Sequence, residues 1–300
     1  MRAYVVLLLG LFAVGAAQAD DRIFDKKVSA DAHGTVEISN VAGRIEVSGW
    51  DNPEVEVHAE MGGGVDRVDV ESDHGRTTIK VIVPNHSFRS VSTNLRVRVP
   101  RESELDVSGV SADVGASDVQ GVLQLKTVSG DVKADVFQHN VDVKTVSGDM
   151  TLRGKGQEAM FHLSSISGNI HVERASGDVE ATTVSGDLTL RLESARNVRV
   201  RTTSGDLGFE GKLAPGAMVD GETVSGDLTV RAVPDGALDY EVATFSGDIT
   251  NCMGGDAERV SKYGPGKRLT GTKGQSSSGG MAARVRLKTM SGDVELCDRS

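Results

Sequence analysis

The residues of this chain most suggestive of chemistry are serines and aspartates two positions apart. Ser-Gly-Asp, or a near copy, begins at Ser129, Ser147, Ser167, Ser185, Ser204, Ser225, Ser246 and Ser291. Ser129-Gly130-Asp131, Ser147-Gly148-Asp149, Ser185-Gly186-Asp187 and Ser225-Gly226-Asp227 are full copies. A serine nucleophile needs a unique position and a base. This serine recurs in every copy, no G-x-S-x-G elbow is present, and the seven histidines (His33, His58, His74, His86, His139, His162, His171) form no H-E-x-x-H cluster. Sugar cleavage needs a carboxylate pair and usually aromatic platforms; carboxylates abound, but there are one Trp and three Tyr. A calcium ladder of the nonapeptide kind needs the denser G-G-x-G-x-D pattern, which is missing. The expectation is therefore no catalytic residue, no metal and no cofactor. The triplet reads as a structural corner: Ser and Asp accept hydrogen bonds from nearby N–H groups, and Gly supplies an unusual backbone angle.

The two cysteines, Cys252 and Cys297, each stand six residues after a triplet serine. In an exported chain such a pair points to a disulfide. Cysteines on adjacent stacked coils would have Cα atoms about 4.8 Å apart, within bonding range, whereas coils two apart could not be bridged. Residues 253–280 are rich in Gly, Ser and charge, with no apolar alternation, and read as an inserted loop. Arg259, Lys262, Lys267, Arg268 and Lys273 make it the best candidate contact loop.

The triplets must be positioned by the segments between them. Their spacings are 18, 20, 18, 19, 21, 21 and 45, and a weaker relative starts at Ser111. Apolar residues alternate at period two on both sides, as in Leu123-x-Leu125 before Ser129 and Val132-x-Ala134 after Asp131. Each unit reads strand, corner, strand, polar connection. Units this short bury a face only by stacking. The expected fold is all-β, a parallel β-solenoid (β-helix) of about eight to nine coils with an N-terminal β-rich cap. Asp135, Arg153, Glu173, Arg191, Glu210 and Arg231 share one column with alternating sign, so in-register coils set each charge between opposite ones. The alternation leaves open whether Thr127 and its equivalents or the following Val128 and its equivalents face the core.

Residues 1–19 have a basic start, an apolar run from Tyr4 to Val14, and Ala17-Gln18-Ala19, a cleavable secretory signal pattern. No other stretch is apolar enough to span a bilayer, so no membrane span is expected. Residues 20–107 alternate without the triplet and read as seven or eight strands capping the first coil; 108–300 form the solenoid. The net charge of −10 argues against a nucleic-acid partner.

"NVAGRIEVSGWDNPEVEVHAE", followed by many "TVSGD" coils, resembles a bacterial extracytoplasmic β-strand-repeat family of unknown function, whose members often carry the label "putative adhesin". The resemblance spans nearly the whole chain after the signal. It implies a β-helical, non-enzymatic envelope protein, with some members tied to envelope stress. The expected function is an exported structural or binding protein, adhesin-like, in the periplasm first and at the cell surface or secreted second, with an unknown envelope protein or glycan as partner. The alternative is an envelope-stress component that binds a peptide or protein; a polysaccharide-cleaving β-helix enzyme ranks behind both.

Overall fold

The structure, a computed structural model, describes residues 22–84, 91–261, 265–274 and 281–298. The expected signal at 1–19, His86 and Lys262 lie outside them. The described chain is all-β. The first strands are β1 (Arg22–Ser29), β2 (Thr35–Trp50), β3 (Glu54–Met61), β4 (Arg67–Asp73), β5 (Arg76–Ile82), β6 (Thr93–Pro100) and β7 (Glu104–Ser117). Next come β8 (Leu123–Thr127), β9 (Val132–Val136), β10 (Val141–Thr145), β11 (Met150–Gly154), β12 (Glu158–Ser164), β13 (Ile170–Thr182), β14 (Leu188–Arg201), β15 (Leu207–Ser225) and β16 (Leu228–Pro234). The chain continues through β17 (Leu238–Ser246), β18 (Ile249–Asn251), β19 (Glu258–Arg259), β20 (Lys267–Lys273), β21 (Ala283–Ser291) and β22 (Val294–Cys297).

These strands build two parallel ladders joined by the triplet corners, a solenoid-like stack. The segment before each corner pairs with its equivalent on the next coil, as Val141↔Leu123 and Val141↔Phe161. The segment after each corner does the same, as Met150↔Val132 and Met150↔Ile170. Inward-facing Val, Leu, Ile and Phe from both ladders, with Phe161 and Phe209 the largest fully buried, form one core along the stack. The stack begins earlier than expected. β2 pairs in parallel with β7 from Thr35↔Glu104 to Ser48↔Ser117, so β2 is a further coil ahead of the first triplet. The expected division at residue 107 falls inside β7. β5 and β6 extend β2 in parallel, and antiparallel β4, β3 and β1 finish that end.

The coils do not stack in chain order. β21 lies between β15 and β17, and β22 between β16 and β18. The last coil of the sequence is thus inserted beneath the coil of Ser246. Residues 253–280 are likewise not the plain loop expected: β20 runs antiparallel along the outer edge of β17, from Leu238↔Lys273 to Thr244↔Lys267, and β19 pairs with β20. Its strand signal is faint because Leu269 is its only fully buried apolar residue. The next inward position is Gly271, where a Cβ would meet the Tyr240 hydroxyl at 2.3 Å.

The corner glycines supply the expected unusual backbone angle in the later coils, as Gly247 (φ 158°) and Gly292 (φ 151°) also show, and they serve a second purpose at every triplet corner. Gly130, Gly148 and Gly168 lie outside the left-handed region, and Gly186 (φ 155°), Gly205 (φ 151°) and Gly226 (φ 147°) sit near its extended limit. What they share is backbone contact: a Cβ on Gly148 would lie 2.0 Å from the Gly130 carbonyl oxygen, and one on Gly205 2.1 Å from that of Gly186. No side chain fits that spacing. Gly148→Ala is expected to destabilise the fold by about 3 kcal/mol or more in urea unfolding. Gly208→Ala, whose nearest contact would be 3.9 Å away, should change stability by no more than about 0.5 kcal/mol.

Candidate functional site

At the triplet corners the inward residue is Thr, with Ser165 in its place before Ser167, and the outward one is apolar except for Thr203. Thr127, Thr145, Thr183, Thr223, Thr244 and Thr289 are buried. The Thr hydroxyl suits this place because it can donate to the corner carbonyl of the neighbouring coil, as Thr127 to Ala112 O (3.2 Å), Thr244 to Gly292 O (3.0 Å) and Thr289 to Gly226 O (3.3 Å). Period two then turns the following residue to solvent. Val110, Val128, Val146, Ile166, Val184, Val224, Met290 and Phe245 are exposed, in that spatial order, with Thr203 between Val184 and Val224. Val184 is 49 % exposed, Thr183 beside it 2 %. An apolar ridge therefore runs along the corner edge.

The acidic column beside the ridge is satisfied between coils. Asp149 N donates to Asp131 Oδ1 (3.0 Å), Asn169 N to Asp149 Oδ1 (2.8 Å), Asp187 N to Asn169 Oδ1 (2.9 Å) and Asp206 N to Asp187 Oδ1 (2.9 Å). Each acceptor thus serves the coil above, and Asn169 replaces Asp because its amide oxygen accepts the same bond. These bonds offset the repulsion of stacked carboxylates, which is about 1 kcal/mol per neighbouring pair in water. Among the described residues no group of three or more His, Cys, Asp or Glu is gathered as a metal site.

Towards the Ser246 end the ridge becomes one wall of a groove of about 880 Å³. Val184, Val224, Met290 and Phe245 line it, and Val260 with Pro265 and Gly266 closes its end. Of the expected contact residues, Lys267 and Arg268 line this groove. Arg259 sits on β19, and Lys273 on the far end of β20, paired with Asp298. Arg201, Lys267, Arg268 and Lys288 also line it; Arg201 pairs with Glu222 (3.1 Å), Arg268 with Glu241 (2.7 Å) and Lys267 with Asp248, which leaves Lys288 as the lining cation without a carboxylate partner among the described residues. The cystine Cys252–Cys297 joins the last two coils of the stack, with Cα atoms 4.7 Å apart. The alternating charge column is also present, with Arg191 within 3.5 Å of Glu173 and 3.9 Å of Glu210. Trp50 is a packing residue: its indole N–H donates to Glu54 O (2.8 Å), and the Arg98 guanidinium lies 5.6 Å over its ring. A second concavity, about 760 Å³, lies beside Glu56, Arg98 and Arg153, and its cations are tied to carboxylates, as Arg98 to Glu56 at 3.1 Å.

The sequence profile of the Toastrack family, DUF4097, matches residues 27–208 and again 174–297. The chain belongs to this family. The chain matches no curated protein. Among solved structures it is similar to a protein from Parabacteroides distasonis described as a "putative lipid binding protein", at 13 % identity, 93 % coverage of this chain and 98 % of that one, TM-score 0.50. A "putative adhesin" from the same organism shares 14 % identity over 93 % and 98 % of the two chains, TM-score 0.43. A "putative adhesin" from Bacteroides fragilis shares 11 % over 93 % and 97 %, TM-score 0.43. The likeness to the first of these, at 13 % identity, is one of fold.

The hairpin wall of this Toastrack groove is held by Glu241, which pairs with Arg268 (2.7 Å) and Arg286 (3.3 Å). The Arg268 hydrogen bond, opposed by partial burial and reinforced by Arg286, holds the Glu241 carboxyl below its ordinary value of 4.5. A carboxylate so lowered stabilises the fold fully above that ordinary value, and the contribution disappears as pH falls through the lower folded value. Protease nicking of residues 258–273 should therefore rise below about pH 4.5. Glu241→Gln should nick readily at every pH.

Proposed function

We propose that this chain is an exported, non-enzymatic binding module of the bacterial envelope, adhesin-like, that meets its partner along the corner edge. One observation carries the reading: an exposed apolar ridge extends over successive coils and ends in a groove walled by a hairpin. Runs of exposed apolar side chains on a soluble surface mark contact sites. The serines and aspartates that could suggest catalysis belong to a repeated corner, and the Asp carboxylates are engaged by backbone N–H groups. Export is supported by the signal pattern of residues 1–19 and by the cystine. The apolar side chains of the lining include one aromatic, Phe245, and the scarcity of aromatic platforms favours a protein partner over a glycan.

The test is binding of the purified chain to washed envelope fractions. Val224→Asp and Phe245→Ser alter exposed side chains and should leave the melting temperature within about 2 °C of wild type. Each should weaken binding about tenfold or more, because at least about 1.4 kcal/mol of apolar contact is removed. Equal binding by both variants would rule out this edge as the contact surface.

A further inference from the structure

The inserted last coil has a consequence for the groove. The coil of Ser246 reaches the rest of the stack only through it: β17 pairs with β21 and β20, and β18 pairs with β22, among the described residues. The same coil supplies Lys288 and Met290 to the middle of the groove. Its registers match on both sides. Val219 pairs with Val285, and Val285 with Tyr240; Leu228 pairs with Val294, and Val294 with Ile249. The coil of Ser246 could therefore dock in register directly on the coil of Ser225, with the last coil expelled. Leu287 biases the pair of arrangements towards insertion, because its Cδ2 fills the space left by Gly221, where a Cβ would stand 3.0 Å from it. The cystine ties Cys297 of the inserted coil to Cys252 of the outer one, and Cys252 is solvent-exposed.

We infer that Cys252–Cys297 is a thiol-addressable latch that holds the last coil in its slot and so sets the length of the groove. Opening requires a dithiol reductant. One of its thiolates attacks Cys252 Sγ, the Cys252–Cys297 bond breaks, and Cys297 leaves as a thiolate that takes up a proton. The second thiol then attacks the mixed disulfide and frees the Cys252 thiol. Two electrons pass to the cysteines, and the dithiol ends as a disulfide. Once the latch is open, the last coil exchanges out of its slot and the coil of Ser246 docks on that of Ser225. The groove then lacks the rung carrying Lys288 and Met290. This last consequence rests on the corner edge being the contact surface; the coil exchange does not.

Dithiothreitol serves as the dithiol in a hydrogen-exchange experiment on the full chain. Reduction should lower protection in Leu238–Asn251 and Ala283–Cys297 together, on the order of 100- to 1,000-fold, the effect of releasing a long closed loop. Amides of β8 to β11 should change less than about threefold. Uniform loss along the chain, or no loss in the two named segments, would overturn the latch. The exchange itself is read by cross-linking with Cys252 and Cys297 replaced by Ser. Thr229 and Thr250 flank Glu295 in register, one coil to either side. Thr229→Cys and Thr250→Cys therefore stand about 10 Å apart with the coil inserted and about 4.8 Å apart with it expelled, and only the latter can be bridged. Glu295→Cys with Thr250→Cys is the control for the inserted state. A bond between positions 229 and 250 confirms the exchange; bonding in the control alone refutes it. Binding to envelope fractions is measured alongside, before and after reduction. Binding that persists while the coil exchanges refutes control of the groove by the latch and leaves the latch standing. Binding absent from the oxidised protein as well counts against the corner edge as contact surface, not against the latch.

Discussion

The constraint on which the whole stack depends is the contact of backbone on backbone at the corner. Successive glycines approach so closely that a β-carbon has nowhere to go: the carbonyl oxygen of one coil lies about 2 Å from where the Cβ of the next would stand. That contact sets the register of both ladders at once, because each corner joins a strand of one to a strand of the other. It also explains why the triplet looks like a motif. A glycine is required sterically, and an acceptor at the very next residue takes the N–H of the next coil.

The other corner residues follow from this contact. At some corners the buried Thr hydroxyl reaches a carbonyl of the neighbouring coil, as Thr244 does with Gly292, whereas the hydroxyls of Thr145, Thr202 and Thr223 are buried without a hydrogen-bond partner. The outward neighbour of each Thr is then exposed by the period of the strand. A ridge of Val, Ile, Met and Phe thus appears on the surface as a by-product of a buried polar column, and where the β19–β20 hairpin leans on β17 the ridge gains a second wall. The surface best suited to a partner and the residues that close the corner are two sides of one alternation.

The acidic and basic columns show how little of this chain's charge is spare. Asp131 to Asp206 are stitched coil to coil through backbone N–H groups, and Glu173 lies between Arg153 and Arg191. Such exposed pairs are individually weak, about 0–1 kcal/mol, so their larger effect is to oppose a slip of one coil against the next. Lys288 stands apart from that pattern, on the inserted coil and facing the groove.

The sequence by itself determined the strands, the corners, the parallel stacking and the adjacency of Cys252 to Cys297, because period-two alternation and the repeated triplet are local signals. It did not reveal that Thr faces inward and Val outward, since both columns carry β-branched residues and both fit the period-two alternation on one side of the corner or the other. Nor could it show that β20 is a strand, with Leu269 its one apolar anchor and Gly271 beneath Tyr240. The order of the last coils was hidden for a deeper reason. All coils carry the same pattern of inward positions, so any coil can stack on any other in register. The step from Ser225 to Ser246 is 21 residues, the same as from Ser204 to Ser225, although it crosses an extra coil. Only the tertiary structure decided which coil lies on which, through contacts such as Leu287 over Gly221 that join residues far apart in the chain.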